Sequence, residues 1–309
     1  MHLLKASDDE TFFHYRFDRV SQHSALVFRL TGTNGATATT LNDVGRIRYT
    51  VRGRTLVDSS FEYLSGLTKV FGGDPITTST ISGPLDLAVL IPRFWGDDNI
   101  ELIDPSDNAT FEISFGGNVA TRVASGFLAE LYAIPEIGLN SYQLMLMESS
   151  DSIGGAGVFQ MASPPGTMEN IVACYMSELV SNVLTLSSGL ITRVDGNIGS
   201  AAKINASIGA LKAITNMKNE LGGSFDLLAE IYSADIGDLA GRLNDSLNLN
   251  VHVSAASEPR MLLVGLAFNP DKLAQSAALL TNDFNQSLNR KQAAGHRRSV
   301  QVLRTVSGR

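Results

Sequence analysis

One cysteine, Cys174, occurs in 309 residues. No intrachain disulfide can form, so the fold has to stand on its apolar core. Long apolar runs are missing as well. The longest, such as Met261–Phe268, fall far short of the roughly 18 residues that suggest a membrane-spanning helix. There is no basic surplus: the formal charge is −7, which speaks against neutralising nucleic-acid phosphates by direct charge contact. The opening MHLLKASDDETFFHYRF has no basic segment ahead of an apolar stretch, so the expectation is no secretory signal and synthesis in a cytoplasm. The N-x-S/T sequons at Asn108, Asn205, Asn244 and Asn285 then carry little meaning.

Signatures of chemistry are scarce too. Neither a G-x-S-x-G elbow nor a G-x-x-x-x-G-K-[ST] loop occurs. The histidines, His2, His14, His23, His252 and His296, show no metalloprotease spacing and no H-x-H pair. His252 alternates outward on its strand and reads as a surface residue. Cys174 has no histidine near it in sequence and reads as a small buried hydrophobe. The expectation is therefore no catalytic residue, no cofactor and no enzyme. The loop from Trp95 to Asn108 gathers Asp97, Asp98, Asp104 and Asp107. Clustered carboxylates suit a hard cation such as Ca²⁺, but the ordered D-x-[DN]-x-[DN]-G pattern is missing, and a solvated acidic turn is the plainer reading.

What the chain does contain is a globular composition, 44% apolar and 18% charged, and period-two alternation. Phe111, Ile113 and Phe115 alternate with polar residues, as do Leu247, Leu249, Val251 and Val253. Successive strand side chains point to opposite faces, so these are strands with one wet side. Further strand candidates are Phe12–Phe17, Ala25–Leu30, Arg46–Val51, Leu85–Ile91, Phe127–Ile134, Tyr142–Leu146, Phe225–Tyr232, Met261–Phe268 and Ser299–Thr305. Helices are fewer. Ser59 or Ser60 caps one ending near Gly72. A second runs from about Ala201 to Leu221, with Ile204, Ile208, Leu211 and Ile214 in register and Gly222-Gly223 as its stop. A third covers Asp271–Gln292. The region Val172–Ser187 does not distinguish helix from strand. Many strands with few helices indicate an all-β sandwich.

The chain also resembles itself. The segment from Arg46 aligns with that from Gly189 at an offset of 143, pairing Val51, Gly53, Gly66 and Lys69 with Val194, Gly196, Gly209 and Lys212. Both segments read strand, glycine turn, helix. Leu85 then matches Phe225 at 140, Phe111 matches Leu249 at 138, and Gly126 matches Arg260 at 134. A shared order with slow drift indicates tandem duplication. The Ser-, Gly- and Pro-rich stretch near Pro164-Pro165 marks the expected boundary: a first body at 1–158, a linker at about 149–166 and a second body at 167–309.

A strand, a glycine turn, a short helix and an apolar strand ending in proline, used twice, resembles the double jelly-roll major capsid proteins, nearest those of icosahedral bacteriophages with an internal membrane. The residues that carry the likeness are RIRYTVRG at 46–53, the helix Phe61–Phe71, LDLAVLIP at 85–92, NATFEISF at 108–115, Gly189–Ile214 and LNLNVHV at 247–253. The resemblance implies two tandem eight-stranded jelly rolls with a few inserted helices. It further implies a homotrimer with a pseudo-hexagonal outline, contacts with neighbouring trimers and a penton protein, and a place in the virion. Under this resemblance the basic end of the chain, with Arg290, Lys291, Arg297, Arg298, Arg304 and Arg309, faces the anionic headgroups of an underlying membrane; cations at a helix C-terminus are the alternative. The competing reading of the whole chain is a β-sandwich carbohydrate- or ligand-binding module. Aromatics at 7% with a single tryptophan supply few of the exposed platforms such a site uses.

Overall fold

The computed structural model describes residues 1–71, 73–93, 101–135, 142–161, 171–181, 183–198, 202–221, 225–233 and 247–268. The expected helix at Asp271–Gln292, the strand Ser299–Thr305, Trp95, Pro164-Pro165 and Gly222-Gly223 lie outside these residues.

The elements up to residue 134 are β1 (His2–Ser7), β2 (Phe12–Arg16), β3 (Ser21–His23), β4 (Ala25–Asn34), β5 (Arg46–Val51), β6 (Arg54–Ser60) and α1 (Phe61–Val70), followed by β7 (Ile76–Ser79), β8 (Pro84–Pro92), β9 (Glu101–Ile103), β10 (Thr110–Ser114), α2 (Gly117–Arg122) and β11 (Val123–Ile134). Two four-stranded arrays face each other, β1-β11-β4-β8 and β2-β10-β5-β6, with β7 added beside β8. Alternation assigns the inner face. Leu26, Phe28 and Leu30 from the first array meet Phe13, Ile47, Tyr49, Phe111 and Ile113 from the second, all fully buried. Phe28 bridges the layers, 5.3 Å from Phe13 in an edge-on contact and 6.0 Å from Phe111, a geometry favoured by ring quadrupoles.

The rest of the chain supplies β12 (Tyr142–Ser150), β13 (Gly157–Gln160), β14 (Ile171–Val180), β15 (Val183–Thr185), β16 (Ile191–Ile198), β17 (Ala202–Ser207), α3 (Ile208–Lys218), β18 (Ala229–Ser233), β19 (Leu247–Val253) and β20 (Pro259–Phe268). Its arrays are β12-β20-β14-β18 and β13-β19-β16-β17. Setting aside β3, β7, β9 and β15, each half pairs its first strand with its eighth, that with the third, and the third with the sixth. The second, seventh, fourth and fifth strands form the other array. Each half is a jelly roll with the same wiring, and each places a helix between its fifth and sixth strands. The second set of eight is complete by Phe268.

Pairing corrects the expected boundary. β12 pairs with β20 over nine residues, from Tyr142↔Phe268 to Ser150↔Arg260. It therefore belongs to the second jelly roll. The chain changes body between Ile134 and Tyr142, and the stretch assigned as a linker at 149–166 begins on the last residues of β12 and contains β13, both strands of the second body. A Ser/Gly/Pro-rich composition marks a chain reversal, and a reversal within a sandwich needs it as much as a linker does.

The repeat also needs one change of register. Ile47 and Val194 occupy the same place, opposite Ile113 and Val251, which match each other at the offset of 138. The offset there is 147, not 143. Gly196 consequently sits in mid-strand rather than in a turn. Four residues are two strand periods and about one helical turn, so the slip is invisible to pattern. The same ambiguity extended the second helix. Ile204 lies on β17, Ser207 caps α3 by accepting from the Ala210 amide at 3.2 Å, and Ile214 faces outward. Two other offsets hold by strand position, β10 with β19 (138) and β11 with β20 (134), whereas Leu85 lies on β8 and its match Phe225 stands four residues ahead of β18.

One device appears in both halves at the offset of 147. The Thr68 hydroxyl donates to Leu64 O at 2.8 Å and accepts from the Leu90 amide at 3.1 Å. The Thr215 hydroxyl donates to Leu211 O at 2.8 Å and accepts from the Glu230 amide at 2.7 Å. Each buried threonine ties its helix to the sixth strand of its own jelly roll. Thr215→Val keeps the shape but leaves a buried N–H unpaired. It is expected to cost about 1–3 kcal/mol in urea denaturation, with Thr215→Ser retaining most of the stability.

Candidate functional site

The two jelly rolls meet through a buried seam. β6 and β12 pair in parallel at Val57↔Leu146 and Asp58↔Met147. This joins the second array of the first body and the first array of the second body into one nine-stranded sheet. Along β20 alternate side chains serve different cores. Met261 and Leu263 line the second sandwich, while Leu262, Val264 and Leu266 pack with residues of the first. This explains why Met261–Phe268 and Ile171–Val180 lack alternation, and why Val172–Ser187 was ambiguous: a strand buried on both faces has no wet side.

Helix α1 is the wedge of the seam. The Tyr63 hydroxyl bonds Tyr175 O at 3.0 Å and Arg260 O at 3.2 Å. Gly66 leaves room for Leu227; a Cβ there would lie 1.9 Å from its side chain. At the start of the helix the buried Glu148 carboxylate accepts from the Ser60 amide at 2.6 Å and from Ser59 Oγ at 3.2 Å. It also accepts from Arg260 Nη1 at 3.3 Å, and Arg46 Nη1 lies 4.0 Å away. Nearby, Glu62 Oε1 accepts from the Leu184 amide at 3.0 Å, while its Oε2 makes no hydrogen bond. Burial pushes the Glu62 carboxyl up to about 7, with the Glu148 charge acting in the same direction and Arg260 opposing it. No motif pointed to Glu62, Glu148 or Arg260. Glu62 looks like an ordinary acid in a first helical turn, and the others lie on strands far away in sequence.

The folded state holds the Glu62 proton more tightly than the unfolded chain, whose value lies near 4.5. Stability from this group is present below about pH 4.5 and is lost as pH rises through about 7, on the order of 3 kcal/mol in all. Glu62→Gln is expected to remove that fall. Melting temperatures at pH 5 and pH 8 should separate in the wild type by more than in the variant.

The sequence candidates for chemistry do not converge. Asp104 accepts from the Ser106 amide at 2.8 Å as a helix cap. Asp107, fully buried, accepts from the Asp104 amide at 2.9 Å and from Arg52 Nε at 2.6 Å. Their carboxylates serve a turn and an ion pair. Asp97 and Asp98 lie outside the described residues, as do Arg290, Lys291, Arg297, Arg298, Arg304 and Arg309. Among the described residues no group of three His, Cys, Asp or Glu side chains is placed to hold a metal, and no helix is long and apolar enough to cross a membrane. Cys174 is a free thiol, fully buried, its ionisation pushed up by burial. His252 is half-buried and lies against the Asp195 carboxylate, which also accepts from Asn250 Nδ2 at 2.9 Å.

No protein-family model and no curated protein sequence matches the chain. Solved structures do. A chain from Sulfolobus Turreted Icosahedral Virus superposes with a TM-score of 0.60 at 17% identity, covering 94% of this chain and 96% of that one. The STIV MCP gives 0.60 at 15% identity, covering 86% and 94%. The major capsid protein P2 from bacteriophage PM2 gives 0.58 at 11% identity, covering 87% and 97%. With likeness along nearly the whole of both chains, and the same eight-strand wiring found twice here, this protein has the double jelly-roll fold of those major capsid proteins.

Proposed function

We propose that this chain is a viral major capsid protein. It self-assembles as a pseudo-hexagonal homotrimer that tiles an icosahedral shell around an internal membrane. The observation that carries this reading is the doubled wiring joined by a buried seam. Two like-wired bodies fixed side by side give three chains six comparable edges, which suits a near-hexagonal lattice without six separate subunits. The buried seam gives each pair of bodies a fixed angle, as a tile requires. The protein has no enzymatic role in this reading. Its partners are neighbouring trimers and a penton protein, and Arg290, Lys291, Arg297, Arg298, Arg304 and Arg309 contact anionic headgroups beneath the shell. Nucleic acid is not contacted by sequence.

Size-exclusion chromatography with light scattering tests the reading. The expected mass is three times the 33.1 kDa of one chain, and electron micrographs of concentrated material should show pseudo-hexagonal particles or shells. A strict monomer under all conditions, with no shell formed, would overturn it.

A further inference from the structure

Helices α1 and α3 share one geometry but differ in what covers them. Their caps match: Ser60 and Ser207 adopt the same extended backbone and each accepts the amide three residues on. In α1 the stripe Tyr63, Gly66, Leu67 and Val70, spaced as one helix face, is buried. Tyr63 and Gly66 sit against the second jelly roll. The offset of 147 puts Ala210, Ala213, Ile214 and Met217 at the same four positions of α3. All four are apolar and all four are exposed, Ile214 by 55% and Met217 by 80%. A helix with an apolar stripe on each of two faces, one of them wet, has an unfilled contact.

The surface that receives α1 has its counterpart as well. α1 reaches the outer face of the second body's first array, where Tyr175, Leu262 and Val264 are buried. Among the described residues, the outer face of the first body's first array is open along part of its length. There Val27, Ile76, Ala88, Leu90 and Tyr132 line an open groove of about 490 Å³, beside the Arg29–Asp86 ion pair at 2.8 Å.

We propose that Ala210, Ala213, Ile214 and Met217 dock in this groove of a second copy of the chain, repeating between chains the contact that α1 makes within one. Stripe and groove are different patches, so the contact is head-to-tail. Each chain offers one of each, and the arrangement extends until a ring closes. The inference rests on the self-assembly reading only in taking the occupant to be another copy.

The test uses the full-length chain and two variants, Ile214→Asp/Met217→Glu on the stripe and Ala88→Arg in the groove, with circular dichroism and melting to verify folding. Each variant alone is expected to lose the threefold mass and run as a monomer. Mixed, they are expected to form a heterodimer and nothing larger, because only one intact stripe and one intact groove remain. Oxidation of Ile214→Cys/Leu90→Cys should give intermolecular cross-links in the assembled protein. A wild type that assembles while both variants assemble equally well, without cross-linking of the cysteine pair, overturns the docking and leaves the capsid reading standing. A wild type that never assembles overturns both. Should a variant fail to fold, the cysteine pair decides alone.

Discussion

Gly196→Val is expected to abolish soluble expression or to lower stability by about 4 kcal/mol. Gly196 lies in the middle of β16, between β17 and β19, at φ +136°, where side chains are strained. A Cβ there would stand 2.0 Å from the Asn248 carbonyl oxygen and 2.9 Å from its carbon. Those atoms are backbone, held in the β16–β19 ladder, and cannot swing aside as a side chain would. Backbone strain of about 1–3 kcal/mol adds to overpacking of similar size, against a total stability of roughly 5–15 kcal/mol for a typical domain. Gly53→Ala is the contrasting variant. Gly53 also has positive φ, but nothing lies within 4 Å of its added carbon, so only a modest loss is expected. Urea midpoints for the two variants, or the soluble fraction if Gly196→Val does not survive purification, measure the difference.

Glu148→Ala is expected to cost about 3–5 kcal/mol, because removing one partner leaves the others desolvated and unpaired. Its carboxylate serves the Ser60 amide, Ser59 Oγ and Arg260 at once. It thereby fixes the start of α1 to β12 and β20 of the other body. The effect should be local to the seam. Calorimetry is expected to show one transition in the wild type and a broadened or split one in the variant, as the bodies begin to melt separately. Glu148→Gln, which keeps an acceptor for Ser60, should lose less. A single sharp transition at unchanged temperature in Glu148→Ala would show that the apolar seam alone couples the two bodies.

Much of the fold was legible because half-buried strands announce themselves. Phe111, Ile113 and Phe115 alternate with polar neighbours, and β10 lies where that pattern places it. Ser60 before Phe61 marked α1. The duplication was legible as order, but its register was not, since a slip of four residues preserves both helical and strand periodicity. Strands buried on both faces, β14 above all, gave no pattern to read. The seam was hidden for another reason. Glu62, Glu148 and Arg260 acquire their role from pairing across about a hundred residues of chain, and no local spacing encodes that. The exposed stripe of α3 was misread for the same cause: Ile214 is apolar, and sequence reasoning assigns an apolar helix position to the chain's own core.

The amino-acid sequence by itself determined that the protein is a β sandwich built twice, because side-chain periodicity and capping act over a few residues and repeat wherever the local sequence does. Only the tertiary structure decided where one body ends and the next begins, which strand face is doubly buried and which apolar stripe stays wet. Those outcomes depend on pairing between distant segments. A strand's partner is chosen by the cooperative burial of whole faces, and that is a property of the assembled sheets.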